Sequence, residues 1–264
     1  LHGPFFGSMM SGIETEFRAQ GKHTIIASGH SDEQTEIDSI EFLIDRNCDA
    51  LILHVEAVSD QYLLNLSKSK TPLIIINRLV PGLEDQCICL DNEKGGYLAT
   101  QSLINKGHKS FAYISGPLWK KDAKDRYNGH LRALKEANIE QHPALVYEGN
   151  FQQEGGRTGI QAIAEQNIPF DALVCGNDEM ASGAMTMARE LGFDVPSDIS
   201  IIGFDNIIYA DYLFPKLTTV DYPIQQMGKM AARLTLQNTY KYPNLDIRTR
   251  FVPKLVERDS CNRV

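Results

Sequence analysis

The sequence has no apolar run approaching the roughly 20 residues that a membrane-spanning helix requires. Its longest apolar stretches, such as 72–76 and 50–53, have the length of β-strands. The first six residues contain neither a basic region nor a long apolar segment, so they are not expected to act as a signal peptide. These absences predict a chain that has no contact with a membrane.

Basic charge is also scarce, because 26 Lys and Arg residues stand against 34 Asp and Glu residues, for a net charge of −8. A protein that grips phosphates needs a basic face. The 264 residues are therefore not expected to clamp nucleic acid by themselves. Their number is sufficient for one large domain or for two of about 130 residues each. A core of that size needs neither disulfide bonds nor a structural metal.

Redox and metal chemistry lack their usual residue patterns. The number of cysteines is odd and no Cys-x-x-Cys occurs, which predicts small buried side chains in a reducing cytoplasm. The seven histidines supply no closely spaced ligand set for zinc. No metal and no cofactor are expected. The cysteines are Cys48, Cys87, Cys89, Cys175 and Cys261.

Three enzyme signatures fail in the same way. The glycine-rich stretch 155–159 lacks the Lys-Ser/Thr ending of a phosphate loop, and no Gly-x-Ser-x-Gly is present. Asp178 and Asp205 could serve as a paired acid and base, but no histidine partner lies at a predicted strand end. The chain is therefore predicted not to be an enzyme.

Strand-length apolar runs alternate with segments of helical period along nearly the whole chain. Such alternation predicts an α/β fold with parallel sheets covered by helices on both faces. Nine or ten strands fit two doubly wound lobes better than one wide sheet. The predicted strands include Lys22–Ala27, Leu73–Ile76, Phe111–Ser115, Ala172–Cys175 and Phe251–Val256, and the predicted helices include Asp125–Ala137 and Asp178–Leu191.

Polar residues follow many of the predicted strands. In open α/β sheets, ligands bind beyond the carboxyl ends of the strands. Two lobes that face each other would therefore collect these polar groups in one cleft. The groups lie at 77–78, 91–92, 116–126, 150–151, 177–178 and 205–206.

Four stretches together resemble the effector-binding core of the lactose-repressor family of bacterial transcription regulators. They are Gly107-His108-Lys109, Arg126-Tyr127-Asn128-Gly129, the run 177–184, and the run 195–205 continuing to Leu217-Thr218-Thr219-Val220. The resemblance extends over essentially the whole chain. The segments 28–34, 76–84, 87–91 and 122–126 are most similar to the galactose-repressor branch.

The resemblance implies two periplasmic-binding-protein-like lobes of type I, joined by three crossovers. The N-terminal lobe would comprise 1–91 plus 222–247, and the C-terminal lobe 92–221 plus 248–264. The family's DNA-binding helix-turn-helix headpiece is absent from this chain. A family strand that precedes Pro4 is expected to be missing, or replaced by Leu1-His2-Gly3. Its loss would leave the edges of neighbouring strands unpaired.

The family's sugar-binding positions carry over residue by residue. Arg126 offers several fixed donors, Asp205 can accept from two vicinal hydroxyls, and Phe151 can stack on the apolar face of a sugar. Asp122 either contacts the ligand or pairs with Arg126, and Asp178 is expected to cap a helix or steady a loop. Core packing is the alternative for each phenylalanine. The expected ligand-binding residues are Phe5, Phe6, Asn77, Asp122, Arg126, Phe151, Asn177, Asp205 and Tyr222.

The implied function is that of a cytoplasmic allosteric sensor. Galactose or a close analogue would bind between the lobes and control operator binding by the missing headpiece. The partners would be the sugar and a second copy of the chain, which the methionine-bearing helices at 178–191 and 8–20 could contact. The alternative is a periplasmic sugar-binding protein of a transporter. Two features count against this alternative. The five cysteines show no pairing pattern for disulfide bonds, and the run 195–220 resembles that of the repressors.

Overall fold

The computed structural model describes residues 3–243 and 245–263, and the chain divides into two compact units. The first unit comprises residues 1–90 and 223–251, and the second comprises 91–222 and 252–264. The boundaries differ from the predicted lobes, since residues 248–251 belong to the first unit and residues 91 and 222 belong to the second. Among the described residues, no helix is long and apolar enough to cross a membrane.

Helices and strands alternate along the described part of the chain. The helices are α1 (Gly3–Arg18), α2 (Glu33–Asp45), α3 (Asp60–Leu66), α4 (Asn92–Asn105), α5 (Lys121–Glu136), α6 (Gln153–Ala164), α7 (Asp178–Glu190) and α8 (Ile224–Tyr240). The strands are β1 (Leu51–Leu53), β2 (Leu73–Ile76), β3 (Cys87–Leu90), β4 (Phe111–Ser115), β5 (Val146–Glu148), β6 (Ala172–Cys175), β7 (Ser200–Ile202), β8 (Thr219–Asp221), β9 (Arg250–Phe251) and β10 (Lys254–Val256). Short 3₁₀ turns lie at Glu84–Gln86, Pro143–Leu145 and Ile208–Asp211.

The first unit is built on a parallel sheet in the order β1-β2-β3-β9. Every residue of β2 is buried, which explains the uninterrupted apolar run Leu73–Ile76. Helix α1 packs closely on α8, since a β-carbon at Gly12 would overlap the carbonyl oxygen of Gln225. The methionine Met9 is buried in this region, which accounts for part of the apolar face predicted for helix 8–20.

One edge of this sheet departs from the sequence prediction. Residues 22–27 form no strand, and β1 pairs only with β2 among the described residues. The side chains of Ile25 and Ile26 are 56% and 51% exposed. The predicted strand Lys22–Ala27 is therefore wrong, because an apolar run becomes a strand only where a neighbour pairs with it. Gly3 begins α1, whereas Leu1 and His2, the other residues of the proposed replacement segment, lie outside the described residues.

The second unit has a parallel sheet in the order β5-β4-β6-β7, with β4 and β6 buried throughout. A separate antiparallel pair joins β8 to β10. The predicted final strand Phe251–Val256 is in fact two strands, with β9 in the first unit and β10 in the second. Pro253 stands between them, and proline donates no backbone hydrogen bond to a sheet.

Two helix pairs cover the faces of this second sheet. A β-carbon at Gly129 of α5 would overlap the carbonyl oxygen of Glu93 in α4, so the two backbones touch. Gly183 of α7 lies equally close to the carbonyl oxygen of Gln153 in α6. These close approaches hold the amino-terminal halves of α5 and α7 beside the carboxyl ends of β4 and β6.

Candidate functional site

Arg126 is the centre of a buried polar cluster in the second unit. It projects from the second turn of α5, and its side chain is only 3% exposed. Its Nε donates to Asn92 Oδ1 at 2.9 Å, and its Nη1 donates to the Gly176 carbonyl at 2.7 Å. The ring of Phe204 lies 3.8 Å from the guanidinium carbon. These contacts fix the plane of the guanidinium, and a fixed plane is what directional recognition of hydroxyls requires.

Asp205 pairs with this arginine. Its Oδ1 accepts from Arg126 Nη1 at 3.3 Å, and its side chain is 8% exposed. The backbone of Asp205 has a φ of 113°, which is unusual for a residue other than glycine and is typical of functional sites. Burial raises the pKa of Asp205 to about 7, and the charge of Arg126 opposes this rise.

Asp178 supports the turn that carries Asp205. It is fully buried, its Oδ1 accepts from the Thr219 hydroxyl at 2.5 Å, and its Oδ2 accepts from the Ile207 amide at 2.9 Å. Burial, reinforced by the charge of Asp205, raises the pKa of Asp178 well above its ordinary value. Of the two roles predicted for Asp178, the structure shows loop support.

Asn177 is the residue that caps α7. Its Oδ1 accepts from the Met180 amide, and its Nδ2 donates to the carbonyl of Phe151, both at 2.9 Å. Asn177 therefore positions Phe151, and its contact with a ligand stays a prediction. Phe151 itself has a φ of 64°, another strained backbone that its neighbours must hold in place.

Asp122 and Tyr222 complete the cluster of predicted residues in the second unit. Asp122 Oδ2 lies 4.0 Å from Arg126 Nη2, one helical turn away. The guanidinium carbon of Arg126 lies 5.6 Å from the ring centroid of Tyr222 and 5.8 Å from that of Phe151. Arginine, two carboxylates and two aromatic rings therefore meet at the carboxyl edge of one sheet.

The first unit presents aromatic groups at the corresponding edge of its own sheet. Phe5 and Phe6 meet edge to face at 5.4 Å, and the imidazole of His54 lies 5.4 Å from the Phe6 ring. His54 follows β1 directly. Asn77 follows β2 with a φ of 65°, and its backbone N–H donates to the Ile88 carbonyl at 2.8 Å.

A buried carboxylate shapes the loop behind His54. Glu36 of α2 accepts from the backbone amides of Glu56, Ala57 and Val58 at 2.9–3.0 Å. Three amide donors satisfy this carboxylate inside the protein, where an unpaired charge would be costly. The loop is therefore held in one conformation, and His54 stands at its start.

Two contributors to these clusters escaped the sequence prediction: His54 and Phe204. Asn92 belongs to the segment 91–92 that the strand-end rule selected, whereas His54 was predicted to lie within a strand at 50–55, and β1 in fact ends at Leu53. The sequence placed Phe204 at the end of an apolar strand. Its stacking contact with the Arg126 guanidinium joins segments that are distant in the chain, so the sequence did not indicate it. The roles of the nine predicted ligand-binding residues stay a prediction.

A family model described as a periplasmic binding protein-like domain matches residues 100–261. The chain is 38% identical over 259 residues to the HTH-type transcriptional regulator GalR of Escherichia coli (strain K12), covering 98% of this chain and 76% of that protein. A solved structure of a LacI-family transcriptional regulator from Burkhoderia phymatum is 30% identical, with a TM-score of 0.93, and 99% and 96% of the two chains are covered.

A second solved structure is a LacI-family transcriptional regulator from Enterococcus faecium with bound ribose. It is 29% identical with a TM-score of 0.84, and 99% of this chain and 96% of that chain are covered. The fold predicted from the sequence is confirmed by these matches. The relatives are regulators of transcription, which confirms that the chain is not an enzyme and does not favour the transporter alternative.

Proposed function

Because the chain belongs to the LacI/GalR family of transcriptional regulators and forms the sugar-binding core of such a regulator, we propose that it senses galactose or a close analogue. Sugar binding is coupled to operator affinity, and the regulator works as a cytoplasmic homodimer. The specific sugar and the coupling are the two steps that go beyond family membership.

One observation carries this proposal: the fixed pair of Arg126 and Asp205 with Phe151 beside it. A guanidinium donates to hydroxyl oxygens, and a carboxylate accepts from hydroxyl hydrogens, so together they match adjacent hydroxyls of a sugar. The Phe151 ring offers an apolar surface for the C–H face of a pyranose. The resemblance of segments 76–84 and 122–126 to the galactose-repressor branch, together with the 38% identity to GalR, supports galactose over other sugars.

Coupling to DNA follows from linkage. A sugar shifts an equilibrium between two conformations only through its different affinity for each of them. If the sugar changes operator affinity, the operator must change sugar affinity by the same factor. The measurement is sugar titration of a regulator that carries this chain and a DNA-binding headpiece, with and without operator DNA. Equal sugar affinity in both titrations would contradict the coupling.

Calorimetry with a panel of sugars tests the ligand. Galactose is expected to bind, and Arg126→Lys is expected to weaken binding because lysine cannot reproduce the bonds to Asn92 and Gly176. Lys124→Ala is the matched control, since Lys124 lies on the exposed side of the same helix. Binding of ribose or a purine, with no heat on addition of galactose, would contradict the proposal that galactose is the ligand.

The homodimer calls for an apolar surface that is not already used by the core. In α7, Met180 and Met185 are buried, so they are not the contact that the sequence suggested. The exposed apolar surface of the second unit lies just beyond, in the turn after residue 207, where Phe214 is 84% exposed. We define the aromatic turn as Ile208, Tyr209, Tyr212 and Phe214.

A second copy of the chain is the occupant proposed for the aromatic turn. An exposed cluster of large apolar side chains on a folded protein commonly marks an interface. Tyr212→Glu is expected to shift the chain toward monomer in sedimentation, because a buried unpaired carboxylate opposes association. Val252→Glu, also at an exposed apolar position of the second unit, is the control. An unchanged dimer in Tyr212→Glu would rule out this surface.

A further inference from the structure

Trp119 is the only tryptophan of the chain, and its side chain is 58% exposed. Tryptophan is usually well buried, because its large ring gains more than other side chains from leaving water. Among the described contacts, none joins Trp119 directly to Arg126 or Asp205. Its exposure beside the Arg126 cluster therefore calls for an explanation.

The loop that carries Trp119 is held firmly. The Leu118 amide donates to Glu148 Oε1 at 2.9 Å, and the Lys120 amide donates to the Pro117 carbonyl at 2.9 Å. Helix α5 begins immediately afterwards, at Lys121. A ligand that contacts Trp119 would therefore lose little free energy to ordering the backbone of this loop.

The same loop reaches the proposed sugar site through Phe151. A β-carbon at Gly116 would overlap the Phe151 ring, so that ring lies directly on the first residue of the loop. The Lys120 ammonium is 5.4 Å from the Trp119 ring centroid and 5.9 Å from the Phe151 centroid. On the inner side, Arg126 is 5.8 Å from Phe151. The half-buried Phe151 ring thus lies within 6 Å of both Arg126 and Lys120, and Lys120 in turn lies within 6 Å of the exposed Trp119 ring.

We propose that these two rings and Lys120 bind a ligand of two linked sugars, so that among galactose and its close analogues a galactoside disaccharide is preferred over the free monosaccharide. This inference rests on the proposed function. The first pyranose lies by Arg126, Asp205 and Phe151, and the second stacks its C–H face on Trp119. Lys120, between the two aromatic rings, donates to hydroxyls of the linked sugars.

Intrinsic fluorescence tests the contact directly, because Trp119 alone supplies the tryptophan signal. Lactose and melibiose are the two-ring probes, and galactose is the one-ring probe. At least one disaccharide is expected to shift the emission of the full chain to shorter wavelength, since a stacked sugar removes water from the indole. Galactose is expected to shift it less. Absence of any shift at a calorimetrically saturating disaccharide concentration would overturn the inference.

Affinity ratios provide the second readout. Loss of an aromatic stacking contact corresponds to a change of about 3- to 10-fold in affinity. Trp119→Ala is expected to reduce the ratio of disaccharide to galactose affinity by that factor, and Trp119→Phe is expected to restore most of it. A ratio that is equal in all three proteins overturns the inference, as does tighter binding of galactose than of either disaccharide.

The two proposals fail in distinguishable ways. If no sugar of the panel gives heat, the proposed function fails and the two-ring ligand fails with it. If galactose binds, but disaccharides neither shift the Trp119 emission nor lose relative affinity in Trp119→Ala, only the two-ring ligand is excluded. If Trp119→Ala instead alters sedimentation while the affinity ratio stays constant, Trp119 belongs to a protein interface and the two-ring ligand is excluded.

Discussion

The two units share one alternation of strands and helices but differ at the carboxyl edges of their sheets. The second unit presents a buried arginine bonded to a carboxylate, an amide and a carbonyl. The first unit presents Phe5, Phe6 and His54, which contact one another through their rings. Polar side chains recognise hydroxyl groups through hydrogen bonds, whereas aromatic rings pack against apolar surface. The second unit is therefore expected to decide which sugar binds.

The sheets differ as well. In the second unit, β4 and β6 are buried and paired on both sides. In the first unit, β1 has one described partner, and Ile25 and Ile26 beside it in sequence order remain exposed. An unpaired edge leaves backbone groups to water. Both sheets thus have four strands with two inner strands paired on both sides, and the first unit differs in that the predicted strand 22–27 does not form and leaves Ile25 and Ile26 exposed.

The largest effect should follow from Arg126→Ala, which removes the buried cation at the centre of the polar cluster in the second unit. Asp205 would then be buried without its partner, and breaking a buried ion pair typically costs about 3–5 kcal/mol. The free energy of unfolding, measured with denaturant, should fall by that order, and sugar binding should be lost. Lys124→Ala controls for a change on the same helix. A stable Arg126→Ala protein that still binds sugar would contradict the claim that the polar cluster of the second unit decides which sugar binds.

Next in size is an added methyl group at two helical glycines. Gly129→Ala should destabilise the chain by about 1–3 kcal/mol, because the new β-carbon meets the Glu93 carbonyl. Gly7→Ala in α1 of the first unit is the matched control, since no atom lies within 4 Å of its β-carbon position. It should be neutral or stabilising. Thermal unfolding of both variants tests whether the tight packing is confined to Gly129.

A separate effect should appear with pH. The folded pKa of Asp205 is raised to about 7, so the folded protein holds a proton that the unfolded chain releases near pH 4. The free energy of unfolding should therefore fall between about pH 4 and pH 7, relative to Asp205→Asn. Sugar affinity should rise over the upper part of this range, as the carboxylate that accepts hydroxyls forms. Parallel pH profiles for wild type and Asp205→Asn would exclude this titration.

The smallest effect is expected at the open edge of the first unit. Ile25→Lys should change the free energy of unfolding by less than about 0.5 kcal/mol, the usual limit for exposed positions. By contrast, Ile114→Ala in the buried strand β4 should cost about 2–5 kcal/mol. Denaturant titration of the pair measures the contrast. Equal costs would show that residues 22–27 are packed in solution.

Sequence patterns predicted the buried strands well. These strands are largely apolar runs, and every residue in them is buried. They are Leu73–Ile76, Phe111–Ser115 and Ala172–Cys175. The patterns predicted the start of α5 poorly. The helix begins at Lys121, four residues before the predicted Asp125, and the preceding Lys120 makes no side-chain cap bond. Without a capping residue, the sequence carries no local signal for that start.

The candidate site was predictable as a set of residues rather than as a set of bonds. Arg126, Asp122 and Asp205 were expected near a ligand, and the structure brings them together. Asn177 was expected to contact sugar, and the structure adds its hydrogen bonds to Met180 and Phe151, which the sequence did not indicate. Which atom an amide satisfies depends on neighbours that are distant in the chain, and no spacing rule encodes them.

By itself, the sequence determined the alternation of elements, the motifs of the family and the list of polar residues that follow the strands. These are local or short-range properties, since they depend on periodicity and on consecutive residues. Only the tertiary structure decided that 22–27 pairs with no strand among the described residues, that Arg126 bonds to Asn92, Gly176 and Asp205, and that the pKa of Asp205 rises to about 7. Pairing and desolvation are created by contacts between distant segments, so they arise only once the chain has folded.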